Sequence, residues 1–421
     1  MKWNEIKNKI ILPASLLFII SGCENKITYE PVWDPDKEGA PTPVIYSIQP
    51  DSAYGGIIEI SISGENFVPE IDQNFIYFGR NSAIVKTASA NQITVIRPIN
   101  LSDTVTIHLS VRDAYQSAKF GPYKLEEGVV DVGKELGRVY SIAIDSDENL
   151  YVHRKSDKKI YKITPDGVQS EYGTFSEAKT SSAMRMGPGG YLYLQRSTDT
   201  GSGFKRLYKI APEGGEAERF VKLSREVKSF DFDQNGNIYS GGINSGMFVI
   251  HSDKTFEKVG NYLDFDIRAV RVFEGYVYVA GVYSGTDTLL SPDNTVVIAV
   301  PAERGIWKSQ ILNDGSLGAT EPVFDWANSG SFSASEINDI TFLEDGDIYV
   351  ATNNSDPILI IHSDGTTETL YEGLLGGPAT NLVWGNGNYI YINRYGENDD
   401  VSGVDRVIMG KNGAPYYGRR D

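Results

Sequence analysis

A tyrosine that directly follows an apolar residue recurs six times along the last two thirds of the chain, at spacings of 42, 46, 39, 71 and 42 residues. A large apolar residue stands six or seven positions before each tyrosine, and turn-forming residues, such as those from Asp233 to Asn237, lie between them. This pattern predicts a strand, a tight hairpin and a second strand in every repeat. The tyrosines are Tyr151, Tyr193, Tyr239, Tyr278, Tyr349 and Tyr391. Repeats of about 40–45 residues with several short strands favour a β-propeller, here with six blades.

The last repeat lacks a clear fourth strand of its own. Val129–Gly133 precedes the first repeat and is similar to Glu257–Gly260, the fourth strand of the third repeat. We therefore expect Val129–Gly133 to complete the last blade, which would hide two sheet edges. A strand from Ala414 to Gly418 is the alternative. The propeller is assigned to residues 126–421.

The first 22 residues carry features of a targeting signal, because lysines precede an apolar run, Ile10 to Ile20, that is too short to span a bilayer. The chain's single cysteine, Cys23, follows Ile20-Ser21-Gly22, and this junction resembles a bacterial lipoprotein cleavage site. The resemblance implies that Cys23 is lipidated and becomes the first residue of the mature protein. Residues 23–43 then form a proline-rich tether. An ordinary signal peptide with a chance cysteine is the alternative.

Residues 44–125 have a different pattern, in which Ile58, Ile60 and Ile62 alternate with polar residues between glycine and proline turns. Short strands of this kind predict a β-sandwich. The order Pro-x-Ile, Gly-Gly, Ile-x-Ile-x-Gly-x-Asn-Phe, Phe-Gly and Ile-Thr-Val resembles an IPT/TIG domain, which is an immunoglobulin-like module. Gly64 and Asn66 are expected to form the turn that places Phe67 in the core. Such modules serve as spacers, docking units or glycan binders.

The predicted fold class is thus all-β, a sandwich followed by a propeller similar to the NHL-type and SMP-30/gluconolactonase-like propellers. Together with the lipoprotein signal, this order of domains resembles accessory glycan-binding lipoproteins of polysaccharide-utilisation systems. The resemblance implies a non-catalytic protein that binds a polysaccharide or oligosaccharide, or acts as a scaffold. It also implies an outer-membrane lipoprotein at the cell surface of a Gram-negative bacterium. One alternative is a metal-dependent propeller enzyme, a lactonase or polysaccharide lyase. Another is a docking module for an outer-membrane transporter or a partner lipoprotein.

The expected binding surface is the face of the propeller that carries the loops between second and third strands, which we call the mouth. These loops are long in the second, fourth and sixth repeats, at 196–204, 281–294 and 393–404. Their aromatic, Asp, Asn and Arg residues suit a carbohydrate, because flat rings pack on sugar C–H faces while polar groups bind hydroxyls. The candidate ligand-binding residues are Arg196, Arg268, Tyr283, Asp287, Asn338, Asn381, Arg394 and Tyr395.

No cofactor is expected, although a divalent metal remains possible. Enzymes of the SMP-30 type hold a metal at the mouth with Glu, Asn and Asp, and the counterparts here are Asn338, Asp339 and Asn381, without a matching glutamate. Of the four histidines, His153 is the one that could face a ligand. The net charge of −17 disfavours nucleic acid as a partner.

Overall fold

The computed structural model describes residues 38–54, 59–96, 103–176, 180–197, 205–286, 289–290, 297–298 and 303–419. Within these ranges, no helix is long and apolar enough to cross a bilayer. The signal segment, Cys23 and most of the tether lie outside the described residues. The described helices are all single 3₁₀ turns, at Ile71–Gln73, Lys134–Leu136, Pro188–Gly190, Trp326–Asn328, Gly330–Phe332, Asp399–Val401 and Tyr417–Arg419.

The first domain is the predicted sandwich of two sheets. One sheet contains, in spatial order, Val44–Gln49, Glu59–Glu65, Gln92–Ile96 and Ile84–Ala88. The other contains Ser52–Tyr54, Ala118–Glu126, Asp103–Val111, Asn74–Phe78 and Asn81–Ser82. Phe67 is buried between the sheets, as predicted. Asn66 adopts a φ of 61°, and a Cβ on Gly64 would lie 2.4 Å from the Phe67 ring, so both turn residues serve the packing of Phe67.

The second domain is a propeller of six antiparallel blades, and the strands of each run from the inside outward. Blade one contains Val139–Ile144, Leu150–Arg154, Lys159–Ile163 and Gln169–Thr174, with Gly215–Glu216 added at its edge. Blade two contains Thr180–Met186, Leu192–Ser197, Arg206–Ile210 and Glu218–Lys222, and blade three Ser229–Phe232, Ile238–Gly241, Met247–Ile250 and Phe256–Val259. Blade four contains Phe265–Phe273, Tyr276–Tyr283, Glu303–Gln310 and Glu321–Asp325, with a separate hairpin of Leu289–Leu290 and Val297–Ile298. Blade five contains Ile337–Phe342, Ile348–Thr352, Ile358–Ile361 and Thr367–Thr369, and blade six Ala379–Trp384, Tyr389–Arg394, Gly403–Ile408 and Val129–Asp131.

The ring closes through the strand before blade one. Val129–Asp131 pairs antiparallel with Gly403–Ile408, so that Val129 lies opposite Val407 and Asp131 opposite Asp405. This confirms the predicted closure. The alternative of a C-terminal strand is wrong, because the chain from 414 to 419 contains a 3₁₀ turn and no strand.

The recurrent tyrosines hold neighbouring blades together. Tyr193 contacts Phe232 of the next blade edge-on, with ring centroids 5.2 Å apart, and Tyr349 contacts Trp384 in the same way at 5.2 Å. Each apolar partner is the upstream residue of the following repeat. The recurrent tyrosine and the upstream apolar residue of the next repeat therefore form one interface between blades. Each aromatic pair contributes about 0.5–1.5 kcal/mol in addition to the effect of its buried area.

The sandwich joins the propeller at the end of blade six that lies away from the mouth. Its last strand ends at Glu126, and the closing strand begins at Val129, with Gly128 accepting a hydrogen bond from the Ile408 amide at 2.9 Å. The mouth end of the same sheet is marked by the pairing of Arg394 with Gly403. The mouth thus lies on the face opposite the one at which the chain enters the propeller.

Candidate functional site

A partly exposed tyrosine ring occupies the mouth where blades six and one meet. The Lys155 ammonium donates to the Tyr395 hydroxyl at 2.7 Å and lies 5.2 Å from the ring centroid. The Arg138 guanidinium lies 5.9 Å from the same centroid and forms an ion pair with Asp399 at 3.2 Å. Hydrogen bonds from Arg138 lower the pKa of Asp399. We call Arg138, Lys155, Tyr395 and Asp399 the tyrosine cluster.

Asp399 of the tyrosine cluster also lines a cleft of about 490 Å³. The residues around the cleft are mostly polar, and they come from blades six and one and the segment between them: Glu135, Leu136, Gly137, Arg154, Ser156, Asp399 and Asp400. Gly137 has a φ of 61°, and a Cβ there would lie 2.8 Å from the Asp399 carboxyl carbon. A glycine is therefore required for the two loops to approach this closely.

Alternating charges follow the mouth across blades three, four and five. Arg268 pairs with Asp266 at 2.7 Å and approaches Glu336 at 3.9 Å, and Glu336 pairs with Arg304 at 2.8 Å. Lys228 completes this ion-pair chain, 3.8 Å from Asp266. Burial, together with the nearby Arg268, lowers the pKa of Lys228. The ion-pair chain holds Arg268 and Arg304 in fixed positions at the mouth, and each side chain is about a third exposed.

Arg394 belongs to the closure of the ring. Its guanidinium lies 2.6 Å from Asp131 of the closing strand and 2.7 Å from Asp405 of the neighbouring strand, and only 15% of its side chain is exposed. Burial outweighs the attraction of Arg394 and raises the pKa of Asp405 to about 6. Arg394 therefore ties the closing strand to blade six, and its guanidinium is already engaged by two carboxylates.

The raised pKa of Asp405 predicts a pH-dependent stability. A carboxyl whose pKa is higher in the folded state stabilises the fold below its unfolded pKa, near 4, and this contribution is lost as the pH rises through about 6. Asp405→Asn cannot ionise, so the melting temperature of the variant should rise relative to the natural protein between about pH 4 and 7. Asp72→Asn, which alters an exposed carboxylate on the sandwich, is the control. A difference in melting temperature that is constant with pH would contradict the prediction.

The other predicted ligand-binding residues are divided between surface and core. Tyr283 is buried in blade four, its ring 4.8 Å from that of Phe265, and this corrects the expectation that it faces a ligand. Asn381 is also buried. Arg196, Arg268, Asn338 and Tyr395 are partly exposed, while Asp287 lies outside the described residues. The second strand of blade four runs as far as Tyr283, which explains the error.

The residues proposed for a metal do not fit one. Asp339 is 3% exposed, and its carboxylate accepts from the Arg185 guanidinium at 3.3 Å and from the Leu382 amide at 3.1 Å. The Asn338 amide donates to the Ala379 carbonyl at 2.8 Å. Among the described residues, no group of three or more His, Cys, Asp or Glu is placed to hold a metal ion.

His153 also differs from its expected position, because it is fully buried in blade one. Its Nδ1 lies 2.7 Å from the Ser181 hydroxyl, and burial lowers its pKa to about 4. Sequence reasoning missed Lys155, Glu336 and Arg304, since it followed the longest loops. Lys155 lies in a four-residue connection between strands of blade one, which is too short to be recognised from the sequence as a binding loop.

Residues 43–126 match the family model of the IPT/TIG domain. No curated protein matches the chain. Among solved structures, a putative phosphatase from Bacteroides thetaiotaomicron is 12% identical with a TM-score of 0.50, and the match covers 90% of this chain and 98% of that one. An auxiliary nutrient binding protein from the same organism is 12% identical with a TM-score of 0.48 over 90% and 99% of the chains. Another from Bacteroides ovatus is 14% identical with a TM-score of 0.45 over 89% and 99%. Likeness at such low identity concerns the fold alone.

Proposed function

We propose that this chain is a non-catalytic, surface-anchored lipoprotein that binds an oligosaccharide or polysaccharide at the propeller mouth. The observation that carries the proposal is the tyrosine cluster beside its cleft. A partly exposed aromatic ring can pack against the C–H face of a sugar, and the polar groups around it can bind the hydroxyls. The Tyr395 ring is fixed by the Lys155 hydrogen bond at 2.7 Å, so little freedom is lost when a ligand binds.

The ion-pair chain supplies the second part of the proposed site. Guanidinium and carboxylate groups held by one another offer donors and acceptors in fixed directions. The Arg268 and Arg304 side chains are each about a third exposed, so part of each remains accessible. The partly exposed Asn338 and Arg196 extend this polar surface around the mouth.

The direction of the mouth agrees with a surface role. The chain passes from the sandwich into the propeller at the opposite end of blade six. In the proposed lipoprotein, the lipid on Cys23 precedes the sandwich. The tether and the IPT/TIG domain would then hold the mouth away from the membrane. In this arrangement the IPT/TIG domain acts as a spacer.

A glycan-array screen of residues 24–421 tests the proposed function. Tyr395→Ala should weaken binding of a retained glycan about tenfold or more, because loss of a central aromatic contact costs more than about 1 kcal/mol. Lys155→Ala should have a smaller effect, since it frees the ring without removing it. Tyr46→Ala is the matched control, because this tyrosine is 61% exposed on the sandwich.

Two outcomes would count against the proposal. Equal binding by Tyr395→Ala and Tyr46→Ala would place the glycan elsewhere on the protein. Absence of any bound glycan would favour the docking alternative, which a stoichiometric partner co-purified from the outer membrane would then support.

A further inference from the structure

A second cleft lies on the face of the propeller opposite the mouth, between blades three and four, and encloses about 270 Å³. One wall is the turn Asp233 to Asn237 of blade three, and the other is the turn 311–315 of blade four. Tyr417, from the C-terminal segment, lines the third side. We call this the lower cleft.

Both walls of the lower cleft are held in place by hydrogen bonds. The Asp233 carboxylate accepts from the backbone amides of Asn235 and Asn237, each at 2.8 Å, and from the Asn237 side chain at 2.9 Å. The buried Tyr239 hydroxyl donates to the Gly315 carbonyl at 2.8 Å and so fixes the turn of blade four against blade three. A ligand would meet a preformed surface, which reduces the entropy lost on binding.

Three side-chain amides at this cleft are available to a ligand. Gln234, Asn235 and Asn313 are exposed, and within the described part of the chain their side chains make no hydrogen bond. A carboxamide both donates and accepts, as a sugar hydroxyl does, and carries no charge. The Asp233 and Asp314 carboxylates already accept from backbone amides, and no Lys or Arg is among the residues that line the cleft.

We propose that the lower cleft binds a single neutral sugar unit, independently of the mouth. The volume lies just below the range for small-molecule sites, about 300–1,000 Å³, and therefore suits one ring better than a chain. The carboxamides would bind hydroxyl groups, and Tyr417 also lines the cleft. Since two carboxylates and no cation line the cleft, an anionic sugar is disfavoured.

Saturation-transfer NMR on residues 24–421 with glucose, galactose, mannose and glucuronate tests this inference. At least one neutral sugar should bind, and glucuronate should bind more weakly. Asn235→Leu and Asn313→Leu change exposed side chains, so both variants should fold, and each should weaken sugar binding about tenfold. Tyr395→Ala, at the mouth, should leave this binding unchanged.

Tyr395→Ala distinguishes sugar binding at the lower cleft from the proposed glycan binding at the mouth. If no neutral sugar binds, or if Asn235→Leu and Asn313→Leu bind as well as the natural protein, the lower cleft is not a sugar site. Sugar binding that is lost in Tyr395→Ala and kept in both asparagine variants would assign it to the mouth instead. Thermal melting of each variant distinguishes lost binding from lost folding.

Discussion

Replacing Asp339 by asparagine is expected to lower the free energy of unfolding of the propeller by about 3–5 kcal/mol, the usual cost of breaking a buried ion pair. Asp339 of blade five and Arg185 of blade two are 3% and 2% exposed, and their charged atoms lie 3.3 Å apart at the centre of the ring. Without the carboxylate, Arg185 would keep a buried charge and lose its hydrogen-bonded partner.

A second buried pair makes the loss more severe. Arg271 lies 3.7 Å from Asp231 and donates to Thr341 at 2.8 Å. Burial, with the nearby Arg185, lowers the pKa of Arg271, and burial raises that of Asp231. Two cations close to one another need both carboxylates, so removing one anion also destabilises the remaining pair.

Urea denaturation of a double-mutant cycle measures the coupling free energy between Arg185 and Asp339. Arg185→Met with Asp339→Leu removes both charges, and it should be less destabilising than the sum of the two single changes, because no unpaired charge is left. Asp72→Asn, which alters an exposed carboxylate on the sandwich, is again the control. If Asp339→Asn were as stable as the natural protein, the buried pair would have no stabilising role.

The repeats of the propeller were predictable because they arise from local physical rules. A hairpin turn needs residues that tolerate positive φ, and Gly236 and Glu148 have φ values of 81° and 61° in equivalent turns. The tyrosine and its upstream apolar partner recur because every blade must pack on the next. The closing strand could also be predicted, since an unpaired sheet edge requires a partner.

The site was only partly predictable because burial depends on where strands end. Tyr283 and Arg394 were expected in loops, but both are the final residues of second strands. The ion pair of Arg185 with Asp339 joins residues 154 positions apart, on opposite sides of the ring, and no local pattern records such a contact. Tyr395, which begins a loop, is partly exposed, as expected.

Removal of the closing strand should destabilise the propeller nearly as strongly. A chain that begins at residue 133 lacks Val129–Asp131 and the contact of Asp131 with Arg394 at 2.6 Å. The strand Gly403–Ile408 would then become an exposed sheet edge. In the intact protein, its residues Val404 and Val407 are 0% exposed. We expect the melting temperature to fall by about 5–15 °C relative to a chain that begins at residue 126. Concentration-dependent aggregation should accompany the loss, because open edges pair with one another.

A single substitution tests the same closure in the full-length chain. A Cβ on Gly133 would lie 2.9 Å from the Val404 amide nitrogen, so Gly133→Val should push the closing strand away from blade six and cost about 1–3 kcal/mol. Gly318→Ala is the control, because its nearest neighbour would be 3.6 Å from the new Cβ. Unchanged melting of both Gly133→Val and the chain beginning at residue 133 would mean that the three-stranded blade six is stable without closure. A loss in both would show that the segment joining the sandwich to the propeller also holds the ring together.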